Sequence, residues 1–178
     1  MAHKEQIDYV NKVKSKFPKF FENKKVLDIG SLDINGNNRY LFTNYKYIGV
    51  DIGAGNNVDV VCRGHEFKDS EGFDIVISAE CFEHDEFWKD TIKNCIALTK
   101  PGGVFLFSCA TTGRPEHGTK RSNPQDSPFT SLIENDYYMN LTEQDVREEI
   151  DMENHFSQHE FVARETWPQD LYFWGIKK

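Results

Sequence analysis

The sequence predicts an α/β domain in which helices cover both faces of a mostly parallel seven-stranded sheet that ends in an antiparallel hairpin. Three observations carry this expectation. Short β-branched or aromatic runs alternate with segments of helical apolar spacing along most of the chain. The first five runs are apolar nearly throughout, as strands buried on both faces of a parallel sheet must be. The last two follow one another across a tight turn, a connection that only antiparallel neighbours can make.

Each element has its own signal. Ile7, Val10, Val13 and Phe17 recur at helical spacing, predicting a helix over residues 3–17 that Pro18 closes. KKVLDI, KYIGV, VDVV, FDIVIS and GVFLFSCA read as the first five strands. Between the fourth and fifth, Trp88, Thr91, Ile92, Cys95 and Ile96 fall on one face of an amphipathic helix, which LTKPGG stops at Pro101 and its two glycines. Residues 111–140 are polar and punctuated by Pro and Gly, too long for a plain connector, and are expected to act as a lid. Thr142 with Asp145 three residues on reads as a helix N-cap. HEFVARETW and DLYFWGIKK, separated by WPQD, read as the closing hairpin.

Composition bounds the possibilities. With 178 residues, 38% hydrophobic and 13% aromatic, the chain can bury a full core, and with no internal repeat or linker it reads as one domain over 1–178. No stretch approaches a membrane span and the polar N-terminus lacks a signal-peptide pattern, so a cytoplasmic location is expected. Cys62, Cys81, Cys95 and Cys109 form no CxxC pair, and no metal is expected. The net charge of −8 argues against nucleic acid as a partner. It is unevenly spread: residues 1–25 hold seven lysines against three acids, while 143–165 hold eight acids against two arginines. A solvated helix face is the simpler reading of the basic N-terminus.

VLDIGSLDING, residues 26–36, runs from a strand into a turn but lacks two glycines of a dinucleotide fingerprint, having Leu32 and Asn35 instead. Ligands of open α/β sheets bind beyond the carboxyl ends of the strands, which places this turn at the site. Asp28 beside the strand end would repel a phosphate and suits a cationic ligand.

With YIGVDI, FDIVISAECFEH and LTKPGGVFLF following in order, the chain resembles class I S-adenosylmethionine-dependent methyltransferases, of the type 11 group. The resemblance is close over residues 24–110. It implies the Rossmann-like three-layer α/β/α sandwich and S-adenosylmethionine as cofactor. By resemblance, Gly30 lets the backbone approach the amino-acid part of the cofactor and Asp28 meets its ammonium. Gly36, at the start of the next helix, replaces a later loop glycine. Asp51 accepts from both ribose hydroxyls, and Ile52 packs on adenine. Ser31 and Ser78 join this cofactor set. The third motif departs from the family: in VCRGHEF, Arg63 stands near the place of an acid, so adenine contacts would fall to backbone groups of Gly64 and His65.

In such chemistry the cofactor supplies the reactive group, and the protein mainly aligns it with the nucleophile. A base is needed only for a weakly acidic acceptor such as a hydroxyl. Glu80, Glu83 and His84 after the fourth strand, and His117 in the lid, are the candidates; Glu80, His84 and His117 are taken as the catalytic set. Arg114, Tyr137 and Tyr138 are expected to contact the acceptor, a small or sugar-type molecule methylated on oxygen or nitrogen. Three rivals remain. A base-amine methyltransferase would carry Asn/Asp-Pro-Pro-aromatic where SAEC stands, and a cytosine-C5 enzyme a proline before Cys81. A non-catalytic cofactor-binding subunit is opposed by the long lid. A nicotinamide-dependent enzyme is opposed by the missing glycines.

Overall fold

The computed structural model describes residues 4–178. Its first helix, α1 (Lys4–Lys16), buries Tyr9, Val10 and Val13, while the predicted start at residue 3 lies outside the described residues. Pro18 opens a separate 3₁₀ turn, Pro18–Phe20, so the apolar residue Phe17 falls between the two. The sheet comprises β1 (Lys25–Ile29), β2 (Lys46–Asp51), β3 (Val60–Val61), β4 (Phe73–Ala79), β5 (Thr99–Ala110), β6 (Phe156–Ala163) and β7 (Asp170–Lys177). Its strand order is β3-β2-β1-β4-β5-β7-β6. The first five strands pair in parallel, and β7 enters antiparallel between β5 and β6.

Alternation along the strands sorts the core into two layers. Val26, Ile75, Ile77, Leu106 and Trp174 face α1. Leu27, Val76, Phe105, Phe107 and Phe173 face the other side, where α2 (Trp88–Leu98) packs with Ile92, Cys95 and Ile96, and α3 (Glu143–Glu149) with Val146. The α3 N-terminus is a full capping box, with Thr142 and Asp145 each accepting from the other's backbone N–H. A four-residue helix, α4 (Met152–His155), leads into β6.

Two expectations are corrected here. Gly36 does not begin a helix: the β1–β2 crossover holds only a 3₁₀ turn, Arg39–Leu41. Asp33 takes the Gly36 N–H at 2.7 Å and the Asn37 amide at 2.7 Å, and NGNN offers no apolar face to pay for helix formation. Nor do Pro101 and its glycines precede the fifth strand. Thr99 pairs with Phe73 and Val104 with Ile75, so Lys100–Gly103 form a bulge within β5, with Gly102 at φ +73°.

Candidate active site

A cleft of about 840 Å³, counting its open mouth, lies at the carboxyl ends of β1, β2 and β4. The loop after β1 turns at Gly30, whose φ is +75°. A Cβ there would lie 2.5 Å from the Cβ of Cys81, so glycine is required by the neighbouring β4 turn. Asp51 ends β2 and accepts from the N–H of Leu32 at 2.9 Å and of Ile52 at 2.8 Å. Burial raises its carboxyl pKa, while these two hydrogen bonds oppose the rise. Asp51 thus fixes the loop and presents its remaining lone pairs to the cleft.

The cleft brings together Gly30, Asp51, Ile52, Gly64, Glu80 and His84. Other sequence-predicted residues stand apart from its lining. Asp28 lies on the opposite face of β1 from Ile29, where Tyr47 Oη donates to it at 2.6 Å and Asn57 at 3.4 Å. Burial lifts its carboxyl to about 7. Ser31 is buried behind the loop, and Ser78 donates to the Ile29 carbonyl at 2.9 Å, joining β1 to β4. Gly36 is exposed, and His65 packs on Phe87 with ring centroids 4.5 Å apart.

The lid contributes a wall that sequence reasoning did not assign. Asp126–Thr130 and Ile133 line the cleft. Phe129 sits so close to Gly53 that a Cβ on the glycine would be 2.7 Å from its ring. The signal lay in Phe129, the one Phe, Tyr or Trp in the polar, proline-punctuated residues 111–136. Arg63, at the departure from the third motif, also lines the cleft, with its guanidinium 5.2 Å from the Phe87 ring.

At one end of the cleft, Glu83, His84, His117 and Tyr138 meet. The His84 and His117 rings are perpendicular at 5.1 Å, and Tyr138 packs against both at 5.4 and 5.1 Å. Gly118, at φ +66°, lets the lid approach His84, since a Cβ there would meet its Cε1 at 2.6 Å. Burial holds the His84 imidazole down at about 3 and lowers that of His117, so both are neutral near pH 7. Burial pushes the Glu83 carboxyl up to about 7. Arg114 lies elsewhere, in a buried ion pair with Asp170 at 3.1 Å and over the Trp167 ring. Tyr137 packs against the α2 side of the core.

Residues 1–160 match the profile of a protein family described as methyltransferase domain. The chain belongs to that family. Membership places it among the methyltransferases, enzymes of the transferase class. A 54-residue stretch is 43% identical to a ubiquinone biosynthesis O-methyltransferase of Coxiella burnetii; it is 29% of this chain and 23% of that protein. The matched stretch therefore spans about a quarter of the curated relative's length.

Solved structures share the fold of this methyltransferase. A Synechocystis magnesium protoporphyrin IX methyltransferase with bound S-adenosylhomocysteine superposes with a TM-score of 0.63 at 13% identity, covering 98% of this chain and 83% of that one. The 1,6-didemethyltoxoflavin-N1-methyltransferase of Burkholderia thailandensis gives 0.60 at 15% identity, covering 100% and 92%. Among the described residues, no helix is long and apolar enough to cross a membrane.

Proposed function

We propose that this methyltransferase binds S-adenosylmethionine in the cleft and transfers its methyl group to an oxygen of a small acceptor. The observation that carries the reading is Asp51: a carboxylate at the end of β2, anchored by two backbone N–H groups and facing an apolar-walled cleft that opens beside Gly30. That is a receptor for a vicinal diol next to a flat apolar ring. Ile52 and Phe129 flank the ring position, and Gly64 brings backbone close to its edge. The remaining sequence-derived cofactor residues, Asp28, Ser31, Gly36, His65 and Ser78, then shape the loops and strands around the cleft.

In this reading Glu80, His84 and His117 form the acceptor end. Methyl transfer moves the methyl carbon to the acceptor oxygen as the carbon–sulfur electron pair passes to sulfur, and the hydroxyl proton leaves. Neutral imidazoles accept hydrogen bonds from such a hydroxyl, which suits oxygen better than a cationic amine. Tyr138 lies on this side, steadied through Asn140, which accepts from its hydroxyl and donates to the Arg114 carbonyl, while Tyr137 packs on the core. The stretch similar to the ubiquinone biosynthesis O-methyltransferase supports the same acceptor atom. Calorimetric titration with S-adenosylhomocysteine and with NAD tests the cofactor: the first should bind and the second should not. A screen of small phenols, enols and sugars with S-adenosylmethionine tests the acceptor, and turnover of amines alone would overturn the oxygen assignment.

A further inference from the structure

We propose that Glu83, His84 and His117 form a binding site for one divalent transition-metal ion at the acceptor end of the cleft. The sequence directed attention to cysteines and so to the absence of a metal. The fold instead assembles two imidazoles and a carboxylate, from the β4 turn and from the lid. One ligand atom of each lies within 4.8 Å of the others. Ligand atoms around a four-coordinate metal at about 2.1 Å stand about 3.4 Å apart, so side-chain rotations of about an ångström close the site.

Each ligand has the right partners. Glu83 is fully buried; one carboxylate oxygen accepts from the Ala110 N–H at 3.2 Å, and Oε2 has no hydrogen-bond partner among the described residues. A buried carboxylate oxygen left without a donor is costly, and a cation satisfies it. Nδ1 of His84 is likewise buried without a partner, while the same side chain lines the cleft. Nδ1 of His117 lies 3.1 Å from the Pro115 carbonyl oxygen, which can only accept, so the proton sits on Nδ1 and Nε2 keeps its lone pair. A metal-bound imidazole commonly donates its second N–H to a carbonyl in this way. Tyr138 Oη, 3.2 Å from that Nδ1, donates to Oδ1 of Asn140 at 2.9 Å and so is free to accept from it. Asp170 adds negative charge beside Glu83, and Glu80, Glu83 and Glu116 add it around the neighbouring Tyr138, where the Arg114 guanidinium opposes them.

Two imidazoles and one carboxylate suit zinc, cobalt or iron rather than magnesium or calcium. Three protein ligands leave open positions, and His84 turns these toward the cleft. With the ion bound, its open positions would take over from the imidazole nitrogens in receiving the acceptor oxygen, which the ion would polarise. The binding claim stands on the three side chains alone; only its part in methyl transfer rests on the cofactor reading above.

The test uses the full chain stripped with a chelator and titrated with Co²⁺ while the visible absorption is followed. One equivalent should bind, with the intense bands of a four- or five-coordinate site. Glu83→Gln and His117→Ala should each weaken binding by at least about tenfold. His159→Ala, on β6, should bind as the parent does. His117 is only half-buried, unlike Glu83, so its variant keeps the test valid if Glu83→Gln fails to fold. Absence of a one-to-one complex, or unchanged affinity in His117→Ala, overturns the site, as does a complex lost in His159→Ala. S-adenosylhomocysteine is titrated alongside: a chain that binds Co²⁺ but not this ligand keeps the cation site and loses the cofactor reading.

Discussion

Asp51 and Gly30 show how single residues carry the site by different physics. Asp51 holds two backbone N–H groups and still has lone pairs free for a ligand. Asp51→Asn keeps an acceptor for one of these N–H groups and loses the charge. Charged hydrogen bonds are worth about 1.5–3 kcal/mol, so S-adenosylhomocysteine affinity should fall at least about tenfold in calorimetry. Gly30 is constrained before any ligand arrives. Its left-handed backbone and its contact with Cys81 mean that Gly30→Ala should destabilise the fold by about 2 kcal/mol or more in urea melts. Pairing it with Cys81→Gly should recover the contact part but not the backbone part. By resemblance Gly30 serves the approach of the cofactor; its contact with Cys81 adds a penalty on folding itself.

Among the elements, the segment over residues 111–140 lines one side of the cleft and is the one we propose acts as a lid. Its ends are tied down by the Arg114–Asp170 ion pair and by Met139 N–H to the Glu83 carbonyl at 2.9 Å, whereas its middle rests on Phe129 against Gly53 and Gly118 against His84. Segments with little buried apolar area open at low free energy. Amide exchange over residues 124–133 should therefore slow when S-adenosylhomocysteine is bound. Equal rates with and without ligand would show that the lid does not gate the cleft. Phe129→Ala should weaken that ligand several-fold and leave thermal stability nearly unchanged, because the ring is only half-buried.

For the whole molecule, two buried acids tie global stability to pH. Asp28 rises from 3.8 to about 7, and Glu83 from 4.5 to about 7, both through burial. A carboxyl with a raised folded pKa favours the folded state fully below its unfolded pKa and loses that advantage as pH climbs through the folded value. Melting temperature should thus fall as pH rises from about 4 to about 7 and then level off, the Asp28 share amounting to a few kcal/mol at most. Asp28→Asn keeps an acceptor for Tyr47 and should flatten the slope, measured with a chelator present. Melts independent of pH over this range would contradict the burial assigned to both groups. The net charge of −8 sets a further expectation: duplex DNA at low salt should not bind despite the lysine-rich α1.

The sequence by itself determined the strands, their mostly parallel pairing and the closing hairpin, because burial on two faces demands continuous apolar runs such as FDIVIS. It also placed Gly30, Asp51 and Glu80 beside one cleft, since ligands gather where parallel strands end. Local capping chemistry made Thr142–Asp145 readable for the same reason: both partners lie within one turn. Only the tertiary structure decided which side of β1 Asp28 faces, that Pro101 sits in a bulge, and that Phe129 reaches Gly53. It alone brought His117 to Glu83 and His84. Those contacts join residues far apart in the chain, and their formation depends on how the lid packs over the sheet, which no local spacing records.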